Sequence, residues 1–151
     1  MRSLQFLAVG IIALVMTGCT CRTNATGPAG EPNVPAATDG GPLKDINFAF
    51  DSYKVEGTAK GILQANAEWL KANPGSKVQI EGHCDERGTN EYNQVLGANR
   101  ARATLEYLRT LGIESTRMST VSYGEELPLD PRHNEEAWAK NRRAHFNVDA
   151  K

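Results

Sequence analysis

The stretch KVQIEGHCDERGTNEYNQVLGANRARA, Lys77 to Ala103, decides the fold. Its first part alternates: Val78, Ile80 and Gly82 face one way, and Lys77, Gln79 and Glu81 the other. That is the period-two signature of a strand with one buried face. A loop dense in ionisable groups, His83 to Gly88, follows, and Thr89 or Asn90 then offers a side-chain oxygen to cap a helix. A polar loop between a strand and a helix is where α/β proteins commonly carry binding groups.

On a helical wheel from Asn90 to Leu111, the residues Tyr92, Leu96, Ala103, Tyr107 and Leu111 fall on one side, and Arg100 falls among them. Arg102 and Arg109 point the opposite way. A guanidinium on a core-facing side is costly unless it is paired, and Asp85 in the preceding loop is the nearest candidate partner. Two readings stand. Asp85 and Arg100 form a structural salt bridge, which spacing alone favours. Alternatively they are opposite charges left open for a zwitterionic ligand, Asp85 for an ammonium and Arg100 for a carboxylate.

Working outward, Ile46, Phe48 and Phe50 alternate with Asn47, Ala49 and Asp51 as a first strand. Gly57 to Asn73 reads as a helix with Ile62, Leu63, Asn66, Trp69 and Leu70 on its inner face, ended by Asn73-Pro74-Gly75. Trp69 reads as core. Leu111-Gly112 stops the long helix. Met118 to Ser122 is a third strand, Asn134 caps a short helix with Glu135 and Glu136 in its first turn, and Ala144, Phe146 and Val148 mark a last strand. At least one of Arg142 and Arg143 is expected to have a structural role, with a carboxylate of the loop as an open partner of one of them. The pattern is α/β, in the order βαβαβαβ, with helices in one layer and strands in another.

Residues 1–18 read as a targeting segment. Arg2 precedes the apolar run Leu4 to Met16, which is too short for a comfortable membrane anchor. Met16-Thr17-Gly18-Cys19 looks like a lipobox, implying a diacylglycerol thioether and an N-acyl chain on Cys19. No Asp follows Cys19, so the usual inner-membrane retention signal is missing. Residues 19–43, rich in Pro and Gly, read as a flexible linker, and residues 44–151 as the folded domain. The chain has 151 residues, of which 40% are hydrophobic, enough for one small core. A net charge of −1, without a basic stripe, gives no case for nucleic acid.

His83, Cys84 and Asp85 are adjacent, which raises a cysteine nucleophile or a metal site. Neighbours on an extended chain point to opposite faces, and no second Cys/His cluster exists, so neither catalysis nor a metal is expected. With Cys19 lipidated, Cys21 and Cys84 remain. A disulfide between them is open in an oxidising compartment, but a free buried thiol at 84 is the simpler reading.

The segments FAFDSY at 48–53, EGHCDERGTNEYNQVLG at 81–97 with Arg100-Ala101, VSYGEELP at 121–128 and KNRRA at 140–144 closely resemble the OmpA-like peptidoglycan-binding domain of the peptidoglycan-associated lipoproteins. The resemblance runs from about Asp45 to Val148 in the same order. It implies a mixed four-stranded sheet with helices on one face and no enzymatic activity. It implies non-covalent capture of meso-diaminopimelate in the peptidoglycan stem peptide. Carried over by position, Asp85 and Asp51 would take the ligand ammonium and Arg100 its carboxylate, with Tyr53, Arg87, Leu96 and Gly97 lining the pocket. The glycan is the other open partner for one of Arg142 and Arg143. The resemblance further implies an outer-membrane location facing the periplasm and a Tol system partner, TolB. Two other functions remain: an assembly module whose Asp85–Arg100 pair is structural, and a hydrolase acting through Cys84.

Overall fold

The computed structural model describes residues 41–149. The predicted lipidation at Cys19, the targeting segment and most of the linker lie outside the described residues. Leu43, assigned to the linker's end, is buried in the core. The elements are β1 (Ile46–Asn47), α1 (Thr58–Ala72), β2 (Lys77–His83), α2 (Asn90–Thr110), β3 (Met118–Gly124), α3 (Glu135–Asn141) and β4 (Arg143–Asp149). A turn of 3-10 helix, Ser115–Arg117, leads into β3. The sheet order is β1-β4-β2-β3. β2 runs parallel to β3 and antiparallel to β4, and β4 is antiparallel to β1.

The alternation predicted for β2 is realised. Val78 pairs with Val148, Ile80 with Phe146 and Gly82 with Ala144 across β4, so these residues share one face. With Leu63 and Leu70 of α1 and Leu108 of α2 they make the core. Each fully buried aliphatic side chain there stabilises the fold by about 1.5–3 kcal/mol. Asn66 is the polar member of the inner face of α1. It is satisfied because its amide bonds both the N–H and the carbonyl of Lys44, at 3.0 and 2.8 Å. Trp69 packs against the core from its margin.

Two elements depart from expectation. β1 pairs over only two residues, and Phe50, placed on its inner face by alternation, is 57% exposed. The chain instead turns at 49–52, with Ser52 N–H donating to the Ala49 carbonyl at 3.3 Å and Asp51 in the left-handed region at φ 52°.

The buried side of α2 is also rotated. It consists of Asn93, Leu96, Gly97, Arg100, Ala101, Thr104 and Leu108, whereas Tyr92 is 51% exposed and Tyr107 and Leu111 are half-buried. Gly97 and Gly82 set that rotation. A Cβ on Gly82 would lie 1.9 Å from the Gly97 carbonyl oxygen, so the helix backbone rests directly on the strand. Residues three, four and seven positions from Gly97 then face the sheet, whatever their polarity.

Candidate functional site

Arg100, on the buried face of α2, is 1% exposed. Its Nε donates to the Ser52 carbonyl at 2.9 Å and Nη2 to the Ala49 carbonyl at 3.2 Å. Nη1 donates to the His83 carbonyl at 2.8 Å and lies 3.3 Å from Cys84 Sγ. Four of the five guanidinium donors are thereby committed, pinning the 49–52 turn to the end of β2. This explains the short β1: the carbonyls of Ala49 and Ser52 are drawn to a side chain rather than to a strand. No ion pair joins Arg100 to Asp85, so the salt-bridge reading does not hold. Among the described residues Arg100 has no carboxylate partner. Burial pulls its pKa below the ordinary arginine value, against which the nearby Cys84 and Asp85 favour the cation.

Asp85 is instead held by two other arginines. Arg87 donates Nε to Oδ1 at 3.2 Å and Nη2 to Oδ2 at 2.8 Å, and its backbone N–H reaches Oδ1 at 3.1 Å. Arg142, at the junction of α3 and β4, donates Nη1 to Oδ2 at 3.0 Å. Burial would raise the Asp85 pKa, but the hydrogen bonds from Arg87 and Arg142 outweigh it and hold the carboxyl below its usual range. Of the two arginines for which a structural role was open, Arg142 is the one that reaches the loop. Its Nε also binds the Phe48 carbonyl at 3.1 Å and its Nη2 binds Glu135 at 2.9 Å. Arg143 lies beside Asp45, at 3.6 Å.

Between these groups opens a cavity of about 220 Å³, lined by Phe50, Asp51, Cys84, Asp85, Arg87, Gly88, Tyr92, Leu96 and Arg100. It is smaller than the roughly 300–1,000 Å³ of drug-sized sites and suits the end of one amino-acid side chain. The structure therefore brings together Asp51, Asp85, Arg87, Leu96 and Arg100. Tyr53 and Gly97 are not among the lining residues: Tyr53 is exposed, and Gly97 is used against β2. Asp51 accepts a hydrogen bond from the Tyr92 hydroxyl and faces solvent.

Sequence reasoning missed four supports. Phe50 and Trp138 sandwich the Arg87 guanidinium, their ring centres 4.0 and 4.3 Å from its carbon. Tyr92 lines the cavity rather than the core. Asn93, 1% exposed, donates its amide to the carbonyls of Asp85 and Arg87 and so supports the loop from beneath. A polar residue one turn before Gly97 was the available signal for Asn93. The aromatics gave none, because their partners are distant in sequence.

Cys84 is 3% exposed and free, its thiol donating to the Asn93 carbonyl at 3.3 Å. Burial raises its pKa, which disfavours the thiolate that nucleophilic chemistry needs. His83 lies outside the cavity, stacked on Tyr123 at 5.5 Å. Burial, and then the charge of Arg143, lower its pKa to about 3, so it is neutral at physiological pH.

A buried cation and two carboxylates around a small cavity, on a sheet of order β1-β4-β2-β3, define the architecture to compare with known proteins. The model of the OmpA family matches residues 47–142. The chain is 50% identical over 99 residues to the peptidoglycan-associated lipoprotein of Pasteurella multocida, a region covering 66% of each chain. It is 37% identical over 159 residues to that of Brucella melitensis, covering 95% of each. The crystal structure of the peptidoglycan-associated lipoprotein from Burkholderia pseudomallei superposes with a TM-score of 0.67 at 42% identity, over 70% of this chain and 89% of that one. The chain belongs to the OmpA family, among the peptidoglycan-associated lipoproteins.

Proposed function

We propose that this protein is a non-catalytic envelope anchor whose cavity binds the meso-diaminopimelate of peptidoglycan stem peptides, while lipid on Cys19 holds the chain to the outer membrane. The observation that carries this reading is Arg100: a buried cation without a carboxylate partner among the described residues, at the wall of an open cavity. An anion entering there meets a preorganised charge whose desolvation the fold has already met. Asp51, exposed and bonded among the described residues only to a neutral hydroxyl, and Asp85 supply negative charge on the same cavity for the ligand ammonium. Diaminopimelate carries both charges at the end of one side chain, whereas lysine carries only the ammonium. The names of the relatives agree with peptidoglycan as the polymer bound.

The test is titration of the purified protein with L-Ala-γ-D-Glu-meso-diaminopimelate beside the same peptide ending in lysine. Saturable binding of the first alone supports the reading. Binding of neither, or of both equally, overturns it. The same proposal includes the Tol system: the domain is a partner of TolB in envelope constriction. Failure of the two to co-purify removes that part and leaves the peptidoglycan reading intact.

A second reading, a protein-interaction module with a purely structural charge cluster, draws on one observation. Asp85 already has all its bonds to Arg87 and Arg142. It predicts that the titration gives no binding by a well-folded protein.

A further inference from the structure

Asp85 accepts four hydrogen bonds, two on each oxygen: from the Arg87 backbone and Nε on Oδ1, and from Arg87 Nη2 and Arg142 Nη1 on Oδ2. A carboxylate offers about four lone-pair positions, so Asp85 is saturated by its own chain. An ammonium therefore reaches Asp85 only if one of these donors leaves.

The two arginines are not equally able to do so. The Arg142 side chain is 6% exposed and tied to the Phe48 carbonyl at 3.1 Å and to Glu135 at 2.9 Å. The Arg87 side chain is 31% exposed and lines the cavity. Its flat faces are covered by Phe50, itself 57% exposed, and by Trp138. It also has a second carboxylate at hand, since Glu135 Oε2 lies 3.4 Å from Nη1, and the Glu135 side chain is 61% exposed. A guanidinium that lets go of Asp85 thus keeps a counter-charge and slides between two aromatic faces that favour a cation in any in-plane orientation.

We propose that Arg87 is a built-in competitor for the ammonium position: it occupies Asp85, moves toward Glu135 when a ligand ammonium arrives, and thereby sets the affinity a ligand must reach to bind. The proposal rests on the diaminopimelate reading above. Its logic is an exchange. A ligand with an ammonium alone trades one cation on Asp85 for another and gains little. A ligand that also places a carboxylate against Arg100 adds a new ion pair to the exchange. Arg87 therefore weakens every ammonium ligand by the same factor, and only a ligand that also pairs with Arg100 keeps enough affinity to bind, a threshold built by opposing weak ligands rather than by contacting the right one.

The experiment is the same pair of tripeptides titrated into the wild type, Arg87→Gln, Arg87→Lys and Trp138→Leu proteins. If Arg87 sits on Asp85 about nine-tenths of the time, its removal tightens apparent ammonium binding up to about tenfold. Arg87→Gln is expected to raise affinity for both peptides about three- to tenfold and so to bring the lysine peptide into measurable binding. Arg87→Lys, which keeps the charge but lacks the fork and the flat face, is expected to do the same in part. Trp138→Leu, which leaves Asp85 and Arg87 in place but removes one aromatic face from the guanidinium, is expected to give a smaller shift in the same direction. In a Trp69→Phe background, Trp138 emission should change as the diaminopimelate peptide saturates the wild type, and not in Arg87→Gln. Weaker or unchanged diaminopimelate binding in Arg87→Gln means that Arg87 does not compete for Asp85 and overturns the proposal alone. A wild type that binds neither peptide overturns both it and the reading beneath it.

Discussion

Two arginines do the same job at opposite ends of β2. At the end where the strand begins, Arg117 donates to the carbonyls of Ser76, Leu70 and Asn73 at 2.8–3.0 Å, tying the last turn of α1 to the start of the sheet. At the end where the strand stops, Arg100 donates to the carbonyls of Ala49, Ser52 and His83. Both collect backbone carbonyls where helices, strands and turns end. The difference lies in what surrounds them. Arg117 is half-buried and caps a helix end, where a cation also meets the negative end of the helix dipole. Arg100 is fully buried and borders a cavity with Asp51 and Asp85. The same bonding pattern is a fastener at one end and a fastener that also faces a cavity at the other, so the bond list alone does not tell a structural arginine from a binding one.

The comparison can be broken or sharpened by substitution, most severely at a glycine within the same strand. Gly82→Ala should abolish cooperative folding, because its Cβ would meet the backbone of Gly97 at 1.9 Å and neither element can give way. Gly75→Ala, with nothing within 4 Å, should change stability by less than about 0.5 kcal/mol. Circular dichroism and thermal melting of the two variants decide this. A folded Gly82→Ala protein would mean the site end is far more pliable than its packing implies.

The arginines come next. Arg100→Ala should lower stability by about 2–3 kcal/mol, since it removes the donors to the carbonyls of half-buried Ser52 and buried His83 and unpins the 49–52 turn, and should abolish binding of the diaminopimelate peptide. Arg117→Ala should cost about 1–2 kcal/mol and leave that affinity within about twofold. Denaturant titration beside peptide titration separates the two. Equal loss of binding in both variants would erase the distinction between the ends.

Acid offers a milder test. The folded protein keeps His83 neutral down to about pH 3, whereas the unfolded chain protonates it below about 6.5. The unfolded state then binds more protons, so stability should fall as the pH drops from 6.5 toward 3, at roughly 1.4 kcal/mol per pH unit at its steepest. Protonation of Asp85, whose pKa lies below the ordinary aspartate value, adds to the loss in the same direction once the pH falls beneath that range. Melting temperature against pH should flatten in His83→Phe, and an unchanged profile would remove the histidine from the account. The smallest effect is expected at the helix cap. Thr89 accepts from the Tyr92 N–H at 3.2 Å, and Thr89→Ala should lower stability by about 1 kcal/mol with binding nearly unchanged.

Much of this was legible beforehand, for identifiable reasons. The strand at 77–83, the cap at Thr89, the cap at Asn134 and the stop at Leu111-Gly112 are local matters, fixed by period, side-chain oxygens and glycine within a few residues. The unusual placement of Arg100 on an inner helix face was visible from spacing alone. Its partners were not. Hydrophobic periodicity placed Tyr92, Tyr107 and Leu111 inward, because it weighs side chains, while α2 is oriented by the contact of two glycines that have none. Phe50 was assigned to a strand by alternation that is correct for Ile46 and Phe48 and fails where Arg100 pulls the chain into a turn.

The sequence by itself determined the order of the elements, the buried face of the central strand, the charged loop at its end and the membership of the OmpA family that its motifs announce. Only the tertiary structure decided which charges meet. Asp85 belongs to Arg87 two residues away and to Arg142, 57 residues along the chain at the junction of α3 and β4, and Arg100 belongs to no carboxylate among the described residues. The reason is one of range. Backbone preferences act over a turn or two of chain, whereas a guanidinium reaches whatever the packing of distant elements brings within about 3 Å.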